Sequence, residues 1–207
     1  MKVWSMFSHF IKHFEEPLLA LSNAPHRGGL ATARGFFFMQ VHKNYSGDYR
    51  RDCAEFEREH GLSGFVGFMT AVDVTKVLAV AKEGPVEAYV TAGITNPAIA
   101  GDEPPPWKPG TINIALVIQE GLTVGAMANA IMTATEAKTY TLLTLGYNAT
   151  GTTSDGIGVF APPGDVEWAG TATRLGLATG RAVRRALEES IERWERSRGE
   201  YSRLVRA

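Results

Sequence analysis

111-TINIALVI-118 and 123-TVGAMANAIMTATEAKTYTLLTL-145 follow one another with only four residues between them. The first segment is β-branched and apolar on both faces over most of its length, the pattern of a strand covered on both sides. The second spaces Val124, Met127, Ile131, Ala134, Leu142 and Leu145 along one helical stripe. Its only charges are Glu136 and Lys138, and Lys138 falls within the stripe. Gly146 stops the helix. A helix with so little charge is covered on most sides, by the core or by a second subunit, which gives the expectation of a homo-oligomer. The strand-like run 157–161 comes next. Strand, helix and strand in succession point to an α/β domain.

Working outward, short apolar runs predict strands at residues 17–24, 35–41, 65–70 and 86–92. The charged segment 48–60 predicts a surface helix stopped by Gly61, and 72–81 a short helix begun near Asp73. Residues 101–110 carry four prolines with glycine at both ends, so neither helix nor interior strand fits there. Residues 174–198 predict a second long helix. Its apolar side is Leu175, Val183, Leu187, Ile191 and Trp194, and the rest is largely Arg and Glu at i,i+4 spacing. The expectation is one α/β domain over residues 1–207, with a central mixed sheet, flanking helices and strand order left open. Residues 1–16 read as an N-terminal extension and 199–207 as a C-terminal tail.

Composition narrows the function classes. Lys and Arg number 21 against 22 Asp and Glu, so no net charge argues for nucleic acid. Cys53 is the only cysteine, so no internal disulfide forms and no zinc cluster is suggested. No run of about 18 apolar residues offers a membrane span. The aromatic, mildly basic N-terminus lacks a small-residue cleavage site, so a cytoplasmic location is expected. No GxGxxG follows the first strand and no Walker motif occurs, which disfavours dinucleotide and P-loop chemistry.

The residues best suited to chemistry lie in 150-TGTTSDG-156, with four hydroxyls, one carboxylate and two glycines in seven positions. Glycines let backbone N–H groups approach a ligand, hydroxyls donate and accept, and a carboxylate moves protons. Thr150, Gly151, Thr152, Ser154 and Asp155 are therefore site candidates, with Asp155 as base or orienter. A turn in which the hydroxyls bond their own backbone is the competing reading. Lys138 on its apolar stripe either snorkels, pairs with a buried carboxylate or lines a site. Glu136 points elsewhere on the helix. Thr111 opens a strand directly after Gly110, as does the nucleophile that N-terminal-nucleophile hydrolases expose by self-cleavage. Asn113 shares its strand face. The loop 22-SNAPHRGG-29 offers Ser22 and His26, and Asn96 follows another strand end. Ser22, His26, Cys53 and Asp73 are pieces of a nucleophile triad that no spacing assembles.

These motifs, in this order, resemble the adenosylcobinamide amidohydrolase family of corrinoid salvage. The resemblance runs from Leu21-Ser22-Asn23-Ala24-Pro25 with Gly28-Gly29, through Val66-Gly67-Phe68-Met69-Thr70-Ala71, Thr91-Ala92-Gly93 with Asn96-Pro97, and Gly110-Thr111-Ile112-Asn113. It continues through Thr133-Ala134-Thr135-Glu136-Ala137-Lys138 and Thr150-Gly151-Thr152 with Asp155 to Gly170-Thr171 with Gly176. Where the family shows T-G-T-G-T-D, this chain places Thr153 at a glycine position and Ser154 at a threonine position. A backbone site that in the family admits φ > 0 thus carries a side chain here.

The resemblance implies hydrolysis of the amide joining the corrin side chain to aminopropanol, giving adenosylcobyric acid. The substrate carries its own cobalt, so no cofactor or metal is expected of the protein. The implied roles are Asp155 or Glu136 as base for a water, with Thr152 or Ser154 as alternative covalent nucleophiles. Lys138, Asn113 and the backbone N–H groups of Gly151 and Thr152 would stabilise the oxyanion. Ser22, His26, Asn96, Thr111 and Thr150 would line the substrate site. The alternatives are a corrinoid or other small-ligand binding protein without turnover, and an oligomeric structural or regulatory domain.

Overall fold

The computed structural model of the chain describes residues 7–106 and 110–204. Thirteen elements follow in order: β1 (His9–Ser22), β2 (Gly29–Gln40), α1 (Tyr49–Glu59), β3 (Phe65–Thr70), α2 (Val74–Val77), β4 (Ala79–Glu83), β5 (Val86–Gly93), β6 (Pro97–Ala98), β7 (Thr111–Ile118), α3 (Val124–Thr144), β8 (Gly151–Thr152), β9 (Gly156–Ala161) and α4 (Arg174–Leu204). Seven strands form one sheet in the order β3-β2-β1-β9-β7-β5-β4, and β6 pairs with β8 in a small second sheet. The large sheet is mixed. β2–β3 and β7–β9 are parallel, and the remaining pairs antiparallel. Both parallel pairs are joined through a helix, α1 and α3 respectively, as parallel strands require.

The sheet separates three apolar clusters. Along β7, Ile112, Ile114, Leu116 and Ile118 face α3 and α4, where they meet Met127, Ala130, Ala134, Val183 and Leu187. Ala115 and Val117 face the opposite side, with Phe36, Phe38, Val66, Phe68 and Phe160. The run Phe36–Phe37–Phe38–Met39 on β2 splits by period two. Phe37 and Met39 turn outward to pack on Cys53 and Phe56 of α1. The α1 helix is begun by Asp48, whose carboxylate caps Arg50 and Arg51, and ends before Gly61 at φ 65°.

β3 is the edge in pairing order but is not left open. The sheet coils until β3 lies over the start of β9 and β7. Asn113 Nδ2 donates to the Met69 carbonyl at 2.9 Å. A Cβ at Gly156 or Gly158 would come within 2.9 Å of the Phe68 ring, so both positions admit only glycine. The loop after β1 closes the remaining gap. Asn23 N donates to Ile157 O, and His26 exchanges two backbone bonds with Gly67 at 3.3 and 3.1 Å. This covers an edge that would otherwise template pairing with another chain.

Three expectations change. β1 begins at His9, so residues 9–16 belong to the sheet rather than to an extension. Residues 72–81 hold a four-residue helix and then β4, because Ala79 and Ala81 alternate inward with exposed Val80 and Lys82. On α3 the buried face is mostly small: Ala126, Ala130, Ala134 and Ala137, with Thr133, Lys138 and Thr141. These let the helix lie close to β9 and α4. Val124 and Leu145, expected in the stripe, are exposed, as are Met132, Tyr140 and Leu143.

Candidate active site

The ends of β1, β7 and β9 meet the overlapping β3 around a cavity of about 1400 Å³. It gathers Asp155, Lys138, Thr152, Ser154, Thr111 and Asn113. Thr150, Gly151 and His26 line it as well. These residues come from two loops, two strands and one helix, so the coiled sheet is what brings them together.

Asp155 is the hub. Its Oδ1 accepts from Ile112 N at 3.0 Å and from the Thr152 hydroxyl at 2.5 Å. Its Oδ2 accepts from Thr152 N at 3.1 Å and from the Lys138 ammonium. The Lys138 and Asp155 side chains are only 8% and 10% exposed. A buried charge is tolerable only when paired and hydrogen-bonded, and here each partner supplies that for the other. Gly151 makes the contact possible. A Cβ there would sit 2.3 Å from Asp155 Oδ2 and 2.6 Å from Lys138 Nζ. Asn23 holds the backbone of the same turn, donating from Nδ2 to Asp155 O at 2.9 Å and accepting from Ile157 N at 2.7 Å.

A second polar focus is the Gly110 carbonyl, the one that precedes Thr111. The Ser154 hydroxyl lies 2.9 Å from it and the Thr152 hydroxyl 3.1 Å. Thr111 Oγ1 is 2.8 Å from Ser154 Oγ. Thr152 has one hydroxyl proton to give, and the short charge-assisted bond to Asp155 takes it in preference to the neutral carbonyl.

Some candidates stand apart. Glu136 is exposed and lies with Met132, Tyr140 and Leu143 at a shallow apolar depression beside the cavity, not in it. Ser22 is buried at the end of β1, with its hydroxyl accepting from Ala24 N at 3.4 Å. Asn96 is buried behind the turn and donates to the Thr153 hydroxyl. The Thr152 N–H expected for an oxyanion is already engaged by Asp155. Cys53 is sealed in the α1–β2 interface, where burial pushes its thiol up to about 12, so it has no nucleophilic role at neutral pH. Asp73 caps α2 through Thr75 N.

Thr153 is where the turn departs from the family pattern. Thr153 does not take a positive φ, and its hydroxyl instead accepts from Asn96. The turn therefore tolerates a side chain at that glycine position. Among the described residues, Arg27 is the non-glycine residue with a left-handed backbone, at φ 54°. It and His26 both reach Glu57 of α1, a buried carboxylate that the sequence hides among the charges of a surface helix.

Fold and cavity together define an α/β protein with a recessed carboxylate–ammonium–hydroxyl centre, a donor and acceptor set suited to hydrolytic proton transfer. The profile of the family described as adenosylcobinamide amidohydrolase matches residues 5–199, and the chain belongs to that family. It is 31% identical over 178 residues to an adenosylcobinamide amidohydrolase of Methanosarcina mazei, covering 80% of this chain and 86% of that one. It is 38% identical over 124 residues to an adenosylcobinamide amidohydrolase of Halobacterium salinarum, covering 55% and 53%. The aligned stretch thus spans about half of the Halobacterium protein. An uncharacterized protein of Methanocaldococcus jannaschii is 37% identical over 147 residues, covering 55% and 58%. No solved structure matches the chain. No helix among the described residues is long and apolar enough to cross a membrane.

Proposed function

We propose that the protein hydrolyses the amide linking the corrin side chain of adenosylcobinamide to aminopropanol, releasing adenosylcobyric acid for cobamide salvage. Family membership supports the reaction class, and the observation that carries the reading is the Asp155 hub. Asp155 takes a proton from the attacking water. Protonation loosens its hold on Lys138, whose ammonium then faces the negative charge growing on the carbonyl oxygen. The Thr152 hydroxyl sits at the same carboxylate and orients the water. The Asn113 amide stands on the cavity wall. The cobalt belongs to the substrate, and the reading assigns the protein no resident cofactor. A cytoplasmic location and self-association belong to the same proposal, the latter supported by the exposed Met132, Tyr140 and Leu143 on α3.

The test is turnover of adenosylcobinamide by the wild type and by Asp155→Asn. Loss of proton transfer lowers the rate by about 10²- to 10⁴-fold. Binding of adenosylcobinamide without product from the wild type would favour the carrier reading instead. A wild-type rate in Asp155→Asn would remove Asp155 from the mechanism.

A further inference from the structure

The cavity that holds Asp155 also holds a second proton-transfer arrangement. His26 lines the cavity, with its side chain 12% exposed. Its Nε2 lies 3.3 Å from Glu57 Oε2. Its Nδ1 has no hydrogen-bond partner among the described residues. Glu57 is 7% exposed, and its other bonds come from Phe65 N at 3.0 Å and Arg27 Nη2 at 3.3 Å. Burial alone would raise the Glu57 carboxyl, but these three donors bring it below the ordinary glutamate value. An ionised carboxylate only accepts, so His26 keeps its proton on Nε2 and presents Nδ1 to the cavity.

The geometry is built rather than incidental. Successive side chains on an extended backbone diverge. The left-handed φ of 54° at Arg27 instead lets His26 and Arg27 converge on one carboxylate. A Cβ at Gly28 would come 2.3 Å from Ala24 O, so the loop closes tightly behind them. The His26 backbone is bonded in both directions to Gly67. Backbone and ring are therefore both fixed, and non-glycine residues with positive φ concentrate at functional sites.

We infer that His26 is the acid that protonates the leaving amine, and that Glu57 is the positioning residue that fixes its tautomer and balances the imidazolium charge. This rests on the hydrolytic reading above and assigns the step which that reading leaves open. Asp155 already accepts four bonds and takes the water proton. Hydroxide oxygen bonds to the amide carbon. As the carbon–nitrogen bond breaks, nitrogen takes the Nδ1 proton of the imidazolium. The new carboxylic acid and the protonated Asp155 then each release a proton. One completes the ammonium product and the other restores the imidazolium. The net reaction is amide plus water giving carboxylate plus ammonium.

The charged groups packed against His26 are Glu57 of α1 and Arg27 of its own loop. The titratable side chains on the surrounding walls are His42, Tyr45, Tyr49, Lys138 and Asp155, with Arg50 beside them. Of these His42 is the other histidine, so it is the control. The experiment has two arms. Long-range ¹⁵N–¹H NMR of the unliganded wild type reads the tautomer, and an Nε2–H ring at His26 is expected. An Nδ1–H ring overturns the assignment of Glu57. Turnover of adenosylcobinamide against pH then compares the wild type with His26→Gln, His26→Gly, Glu57→Gln, Glu57→Asp and His42→Gln.

His26→Gln is expected to lose about 10²-fold in kcat or more. It also loses the limb on which the wild-type rate falls as pH rises, since only the protonated ring can give up the proton. Added imidazole restores part of the rate to His26→Gly. Glu57→Gln lowers kcat more than it raises KM, and Glu57→Asp recovers part of the loss. The limb persists in His42→Gln. Wild-type kcat with the limb intact in His26→Gln overturns the proposal, as does a limb lost only in His42→Gln. If the wild type itself gives no product, the hydrolytic reading falls and the acid role of His26 with it. The tautomer then decides the Glu57–His26 pair alone.

Discussion

Lys138 and Asp155 form a largely buried ion pair on the cavity wall although one lies on α3 and the other in the turn before β9. Removing one partner of such a pair leaves an uncompensated buried charge. Lys138→Met is expected to cost about 3 kcal/mol in urea unfolding, toward the low end for a broken buried pair, because Asp155 keeps its two backbone donors and Thr152. The double variant Lys138→Met/Asp155→Leu is expected to cost less than the sum of the singles, since it removes both charges.

Gly151 is where this pair leaves no room for a side chain. Gly151→Ala drives a methyl against Asp155 Oδ2 and Lys138 Nζ. The expected result is a stability loss of about 1–3 kcal/mol together with a larger fractional loss of turnover. Gly180→Ala is the control, because a Cβ there meets nothing within 4 Å on α4. It should gain up to about 1 kcal/mol by helix propensity. Equal losses in both would show that Gly151 acts through backbone freedom, not through the pair.

The Gly110 carbonyl and Thr111 hydroxyl sit in a hydroxyl cluster that self-cleavage would also use. With water as nucleophile the chain stays whole. Intact mass of active protein is expected to show one species at 22.5 kDa, and acid-quenched turnover to show no adduct on it. Two fragments separated by a cut between residues 110 and 111 would establish a processed enzyme. A substrate-sized adduct lost in Thr152→Val would make Thr152 the nucleophile.

Glu57 links the site to acid stability. Its folded-state carboxyl lies below the ordinary glutamate value. The stability it contributes is therefore complete above its unfolded pKa, about 4.3, and is lost as pH falls through the folded value. Denaturation measured across pH 3–6 (roughly the window bracketing those values) should show a shallower acid slope in Glu57→Gln than in the wild type. Identical slopes would place the acid sensitivity elsewhere.

Strands buried on both faces were the most legible parts of the sequence. β3 and β7 begin and end where their apolar runs do. β1 is harder to see, because its pairing shifts between His13 and Leu18 and the exposed Glu15, Glu16 and Pro17 in that irregularity interrupt the apolar run. The weak period of residues 72–81 hid a change from helix to strand. In the site, Asp155 and Lys138 were visible as residue types in unusual places. Their pairing was not, since it depends on how α3 ends relative to β9. Glu136 looked equivalent to Lys138 by composition, yet it lies on the exposed side of the same helix. Glu57 carried no signal, because one buried carboxylate among the charges of α1 looks like a solvated face until Asp52, Cys53, Phe56 and Glu57 are seen turned inward together.

The seam formed by the 23–28 loop also sets an order on biosynthesis. Asn23 is fastened to Asp155 and Ile157, partners 132 and 134 residues away. Closing loops that long costs entropy before any contact repays it, which slows folding. The half of the sheet around Phe36, Phe38 and Phe68 therefore cannot be capped while the chain is still being synthesised short of β9. A nascent chain ending before Gly156 would hold its aromatic cluster open, and fragments truncated there should require chaperones or aggregate. The catalytic turn and the partners of Asn23 arrive together, so a chain that has closed this seam has also placed Asp155.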